Sequence, residues 1–200
     1  MKKIKYLFFF YLILFFLNNL AVYSSENKKI TSIGNEKAEI VVKVFSSLSC
    51  PHCATFHGNI FPNLKEEFVD TNFVRFEHHS FPLDLQALNA EKVLKCFDNN
   101  EKRFEFLNEI YQNQEAWYRG EDINSINIKI AKIAENYNLN NDKINACLND
   151  KALEDEILNE RINGAKNYSI KSTPTIFINN KKYDGKYNYN DFRDAIKKLL

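Results

Sequence analysis

The chain has 200 residues, enough for one domain of ordinary size, and 44% of them are hydrophobic. Such a composition builds a core without disulfide staples, so four cysteines exceed what stability alone demands. A formal net charge of +1, from 27 basic and 26 acidic residues, leaves no electrostatic footprint for nucleic acid and no reason for binding to an anionic membrane surface.

The first residues form a three-part pattern. Lys2, Lys3 and Lys5 precede an unbroken apolar run from Tyr6 to Leu17; Asn18-Asn19 interrupts it, and Ala21-Val22-Tyr23-Ser24-Ser25 offers small residues near a cleavage point. The run is shorter than the ~20 residues a spanning helix requires, so residues 1–24 are expected to be a secretory signal, with an uncleaved anchor as the alternative. Their removal takes three lysines and no acid, which tips the balance to net negative. In either case the body of the protein is expected outside the cytoplasm. No reducing pool protects thiols there, and an even number of cysteines reads as two disulfides.

Beyond the signal, Ile30 to Ile33 suits a short strand and Gly34-Asn35 a turn. Ile40 to Phe45 is β-branched and almost wholly apolar, the pattern of a strand buried on both faces. Cys50-Pro51-His52-Cys53 follows. Phe56, Ile60, Leu64 and Phe68 then recur at i+4, one face of a helix that Pro62 should kink or restart. Pro51 falls in the first turn, where a missing N–H does no harm, so the cysteine pair sits at a helix N-terminus. Val74 to His78 alternates as a second long strand.

For about ninety residues after Phe81-Pro82 only helical stripes appear. They are Ala90, Val93, Leu94 and Phe97; Phe104, Leu107 and Tyr111; Ile123, Ile126, Ile130, Ile133 and Tyr137; Ile144, Cys147 and Leu148; and Leu153, Ile157, Leu158 and Ala165. Four or five helices are expected. Strand character returns over Thr173 to Ile178, Asn179-Asn180 suits a tight turn, Lys181-Lys182-Tyr183 runs back, and Asn190 is placed to cap a final helix carrying Phe192, Ala195, Ile196, Leu199 and Leu200. The order implies an α/β domain, residues 25–80 and 170–200, split by a helical insert over residues 81–169.

Three chemistries compete for Cys50 and Cys53. As a structural bridge the pair closes too short a loop to restrict the unfolded chain much. As half a zinc site it would recruit His57, at i+4 from Cys53, with His78 or His79, but no second CxxC or HxxxH accompanies it. Haem attachment is excluded from the competition, because it requires His at position 54, which is Ala. A redox pair has a mechanism at this spacing: unpaired N–H groups and the helix dipole stabilise a thiolate on Cys50, which is expected to face solvent, and His52 can add a hydrogen bond or charge, while Cys53 lies one turn in and more buried. A stabilised thiolate leaves readily, so the disulfide form is oxidising.

The segment Phe45-Ser46-Ser47-Leu48-Ser49-Cys50-Pro51-His52-Cys53-Ala54-Thr55-Phe56-His57 resembles the active-site segment of the DsbA family of thiol oxidases, most nearly its alphaproteobacterial branch. The similarity continues through Phe81-Pro82-Leu83-Asp84, the Cys96 and Cys147 segments, and Ser172-Thr173-Pro174-Thr175-Ile176-Phe177-Ile178-Asn179, and so spans nearly the whole mature chain. It implies a thioredoxin-like fold, a mixed sheet flanked by helices, with Cys50 as the substrate-linked sulfur and Cys53 as the resolving one. Pro51 and His52 would tune the pair. Pro174 would be a cis-proline beside it, with Thr173 lining a substrate groove. The family branch also carries a second cysteine pair; here Cys96 and Cys147 point into the helical block, either bridged or as two buried thiols, with the bridge expected in an exported protein. The resemblance further implies unfolded, newly exported proteins as substrates in the periplasm, reoxidation by a DsbB-type quinone-linked membrane partner, a monomer, and no metal or diffusible cofactor. A reductase or isomerase of the same fold, or a peptide-binding chaperone-like module, are the other readings. Exported isomerases add a dimerisation domain, and only a short polar stretch separates the apolar run from the first strand.

One departure stands out. Members often carry a buried acid six residues before the first cysteine, thought to exchange a proton with the buried thiol; here that residue is Val44, beside Lys43. His57, His78 and His79 are expected to be ordinary partly buried or surface histidines, and Trp117 to serve packing.

Overall fold

The computed structural model describes residues 30–119 and 122–200; the expected signal segment lies outside them. The most apolar strand, β2 (Ile40–Ser46), occupies the middle of a five-stranded sheet. On one side it pairs in parallel with β3 (Val74–Ser80), which in turn pairs antiparallel with β1 (Thr31–Ile33). On the other side it pairs antiparallel with β4 (Thr175–Ile178), and β4 with the two-residue edge strand β5 (Lys181–Lys182). The sheet is mixed, as the thioredoxin-like expectation requires.

Helix α1 (Pro51–Asn59) leaves the carboxyl end of β2. The chain restarts at α2 (Phe61–Leu64), with Pro62 in its first turn, and runs into a wide π turn over Lys65–Val69. Pro62 therefore breaks the i+4 stripe as its missing N–H dictates. Phe56 and Phe61 pack on Phe76 of β3, with ring centroids 6.4 and 4.6 Å apart, so this face of the sheet is closed by aromatics.

Between β3 and β4 the described residues form six helices: α3 (Leu85–Lys95), α4 (Asn100–Gln112), α5 (Gln114–Tyr118), α6 (Ile123–Glu135), α7 (Asn141–Asn149) and α8 (Lys151–Asn167). The sixth, beyond the five apolar stripes, is α5. Five residues are too few to write a stripe, and its anchor is Trp117, 1% exposed, whose indole N–H donates to the Ile110 carbonyl at 2.8 Å. The last helix, α9 (Tyr189–Lys197), is capped by Asn188 rather than Asn190. Two asparagines alternate with tyrosines there, and the one at the extended residue takes the cap.

Capping separates α1 from the other long helices. Asp84, Asn99, Asp122, Asn140, Asp150 and Asn188 each accept a backbone N–H at the start of α3, α4, α6, α7, α8 and α9. Helix α1 begins at Cys50, which has no side-chain cap bond.

Helix α8 covers the sheet face opposite α1. It comes close because Gly164 has no side chain: a Cβ there would meet the Phe45 ring at 3.2 Å. Phe45 also stacks on His79 at 4.7 Å and meets Phe177 edge-on. With helices on both faces, all seven residues of β3 are buried, charged ones included.

Candidate active site

Strand β2 ends inside the fold, and the Ser47–Cys50 loop turns the chain into α1. Contacts from the helical segment hold that loop. The Ser49 hydroxyl donates to Asp84 Oδ2 at 2.7 Å, Ser47 Oγ lies 3.1 Å from Ser49 Oγ, and the Gln114 amide donates to the carbonyls of Leu48 and Cys50 at 2.7 and 3.1 Å. Asp84 does double duty, since its other oxygen caps α3 through the Ala87 N–H. Gln114 does not stand out in the sequence, and Asp84 does so only as the end of the Phe81-Pro82-Leu83-Asp84 resemblance; neither shows its contact until folding brings it to the loop.

Cys50 and Cys53 are both free thiols in this structure. Cys53 is 1% exposed, as its place one turn into the helix predicts. Cys50 is only 5% exposed, which corrects the expectation that it faces solvent: the Thr173 backbone covers it, with Cys50 Sγ 3.4 Å from the Thr173 carbonyl oxygen.

The two sulfurs are driven in opposite directions. Cys50 is lowered to about 5, chiefly because the Cys53 thiol donates to it; burial opposes this, and the Thr173 hydroxyl and the backbone N–H groups of Cys53 and His52 assist. Cys53 is pushed far up by burial and by the neighbouring Cys50 charge. The contribution of His52 to the Cys50 sulfur is its backbone N–H, while its side chain is exposed. Pro51 fills the first helical position, as expected.

The Thr173-Pro174 peptide is cis and β4 starts just after it, at Thr175 rather than Thr173. Pro174 is buried and Thr173 half-buried beside Cys50. A cleft of about 300 Å³ runs along them, lined among others by His52, Thr55, Ile60, Thr173, Pro174 and Tyr187. The Tyr187 hydroxyl donates to the Pro174 carbonyl at 3.0 Å. An open groove next to a reactive sulfur can receive an extended chain.

Cys96 and Cys147 are bridged, with Cα atoms 6.2 Å apart, tying the end of α3 to α7. The pair lies in the helical segment and does not join the CxxC.

Two of the histidines expected to be ordinary, His78 and His79, are part of buried polar structure. His78 lies between Ser46 Oγ, 3.0 Å from Nδ1, and Glu91 Oε1, 2.8 Å from Nε2. His79 meets Glu77 and Glu160 at 3.0 and 3.4 Å. Glu77 is on the far face of the sheet from Cys53: it pairs in register with Lys43, and its neighbours are Arg75 and His79. A run of Arg, Glu, His, His and Ser inside one strand was the available signal, because so many polar groups fully buried must pair with one another.

The sequence profile described as Thioredoxin matches residues 26–198. A Rickettsia prowazekii protein, provisionally named a protein-disulfide oxidoreductase, is 30% identical over 84% of this chain and 60% of its own length. The chain thus spans about three-fifths of that relative. Disulfide bond formation protein D of Bacillus subtilis is 26% identical over 84% of this chain and 76% of its own. The crystal structure of α-DsbA1 from Wolbachia pipientis superposes with a TM-score of 0.78 at 31% identity, covering 85% of this chain and 90% of that one. A thioredoxin-like sheet interrupted by helices, a CxxC opening α1 and a cis-proline beside it are accompanied by these likenesses, and the chain belongs to the DsbA family of thioredoxin-fold thiol-disulfide oxidoreductases.

Proposed function

We propose that the protein is a thiol:disulfide oxidase of the periplasm, which passes the Cys50–Cys53 disulfide to unfolded, newly exported proteins. A substrate thiolate attacks Cys50 and expels Cys53; a second substrate thiolate then releases Cys50. Thr173 and Pro174 hold the substrate chain alongside, Pro51 and His52 tune the pair, and the Cys96–Cys147 bridge is structural. Reoxidation falls to a quinone-linked membrane oxidase of the DsbB type. The chemistry needs no metal and no diffusible cofactor, and it suits a monomer. Among the described residues no helix is long and apolar enough to cross a membrane.

The observation that carries this reading is the split between the two sulfurs. A Cys50 thiolate stable at about pH 5 is an excellent leaving group, and a reduced form so stabilised favours giving the disulfide away. Two measurements test it: the equilibrium of the CxxC with glutathione and the thiolate absorbance titration of Cys50. An oxidising potential with a midpoint near 5 is expected. A reducing potential with an unshifted Cys50 would overturn the oxidase in favour of a reductase or isomerase. Cys50→Ser should abolish dithiol oxidation altogether, and retained client protection without it would favour a peptide-binding module.

A further inference from the structure

Every turnover puts charge on Cys53 in the interior. When an incoming thiolate forms a bond to Cys50, the Cys50–Cys53 bond breaks and its electron pair leaves on the Cys53 sulfur. That sulfur, 1% exposed, must gain a proton, and must lose it again before it can attack Cys50. The strand position that would supply an acid is Val44, 0% exposed and apolar. Its partner in the parallel register is His78, on the same face of the sheet.

An unbroken hydrogen-bonded chain runs through His78. Glu91 Oε2 accepts from the Ser80 hydroxyl at 2.9 Å, Glu91 Oε1 meets His78 Nε2, His78 Nδ1 meets Ser46 Oγ, and the Tyr111 hydroxyl donates to Ser46 Oγ at 3.1 Å. Every member is fully buried or nearly so. Ser47 joins the Tyr111 end to the active site. Its carbonyl lies 3.5 Å from the Tyr111 hydroxyl, and its N–H faces the Cys53 sulfur. Groups of this type donate and accept in either sense, so a chain of them moves a proton without moving an atom far.

We propose that the Glu91–His78–Ser46–Tyr111 chain is the proton store for Cys53. On opening, Tyr111 gives its proton to Cys53 across the gap beside the Ser47 peptide and is resupplied through the Ser46 hydroxyl from the Glu91–His78 pair; on closing, the proton returns by the same groups. No oxidant beyond the protein's own disulfide enters. Glu91 and His78 are positioning residues, since they act through the hydroxyls.

The surroundings fit the assignment. The charges on Cys53, Glu91 and Cys50 bear on the Tyr111 phenol, which burial already holds well above its ordinary value, so it relays a proton and does not keep a charge. His57 of α1 stacks on the Tyr111 ring at 4.3 Å. Burial keeps His57 well below the ordinary histidine range, which makes it a neutral wall. Lys95 of α3 and Glu160 of α8 are the further charges that act on Glu91 and His78.

The inference rests on thiol-disulfide exchange at Cys50–Cys53 in either direction. The test is rapid-quench trapping with iodoacetamide from pH 5 to 9, on the oxidised protein mixed with reduced glutathione and on the glutathione adduct at Cys50 as Cys53 resolves it. Glu91→Gln and Tyr111→Phe keep the shapes and remove, respectively, the carboxyl and the relaying hydroxyl. Each is expected to slow resolution at least tenfold at pH 7, with the deficit shrinking toward pH 9 as hydroxide takes over. Each should leave the Cys50 thiolate midpoint near 5, the sign that the fold and the helix terminus are intact. Unchanged rates and pH profile in both variants would overturn the proposal, and so would an equal loss at every pH, which marks a packing role. Failure of the glutathione adduct to form on the unaltered protein would instead refute exchange at Cys50 itself.

Discussion

His78 and His79 are consecutive residues of β3 that face opposite sides of the sheet, and each meets a glutamate. On the α1 side, Glu91 and His78 continue through two hydroxyls toward the cysteine pair. On the α8 side, His79 joins Glu77, Glu160 and, through Glu160, Lys95 in a cluster of full charges, with Phe45 stacked across the imidazole. The same two residue types give a relay on one face and an ion cluster on the other. What differs is the next residue along: a hydroxyl extends a proton path, whereas a second charge ends it.

The largest effect that probes this contrast is on stability. Glu160→Gln leaves His79 and Lys95 facing Glu77 and Glu156 with one charge fewer, and the Glu160 side chain is one-fifth exposed. A loss of about 2 kcal/mol in chemical denaturation is expected, with exchange kinetics at the CxxC unaltered. Kinetics that moved as far as in Glu91→Gln would erase the distinction between the faces.

The pH dependence of that loss is the next largest effect. Burial alone would raise Glu160, but the His79 hydrogen bond and the Lys95 charge bring it down to about 2. Its stabilisation is therefore complete above ~4.5 and disappears as the pH falls toward 2. His79 behaves oppositely. Burial would lower it and the two glutamates raise it, so its contribution is full below ~6.5 and is lost as the pH climbs past its raised value. Denaturation across pH should give the unaltered protein a plateau between those limits, with Glu160→Gln converging on it at the acid end.

A smaller effect belongs to the α1 side. Tyr111→Phe removes one buried hydrogen bond and costs about 1 kcal/mol of stability, measured at neutral pH. Smaller still in stability, but readable by thiolate absorbance, is the choice at position 53. Cys53 is the principal donor to Cys50, so Cys53→Ala should move the Cys50 midpoint up from about 5, and Cys53→Ser, which keeps a donor, should move it less.

Much of the architecture is legible in the chain because it is written locally. The apolar run of β2, the stripes of the inserted helices and the CxxC-Pro pattern each depend on neighbours within a few residues. The Cys96–Cys147 bridge is legible for another reason, since an even cysteine count in a chain expected to be exported leaves few partners. The polar interior of β3 is legible only as a run of polar residues, not as buried. Val74 to His78 reads as an alternating strand, and only packing by α1 on one side and α8 on the other buries both faces. The same holds for Asp84 and Gln114, whose contacts with the CxxC loop join residues 35 and 64–66 positions apart. Helix α5 escaped for want of length.

The missing cap of α1 has one further consequence. Six other helices carry an asparagine or aspartate oxygen at their first residue, whereas α1 has a sulfur. When Cys50 is a thiolate, it accepts the N–H groups of His52 and Cys53 and becomes the cap itself. Closing the disulfide uncaps the helix. In the oxidase proposed above, part of the energy that drives electrons toward the protein is then folding energy of one helix turn, recovered when the disulfide is given away.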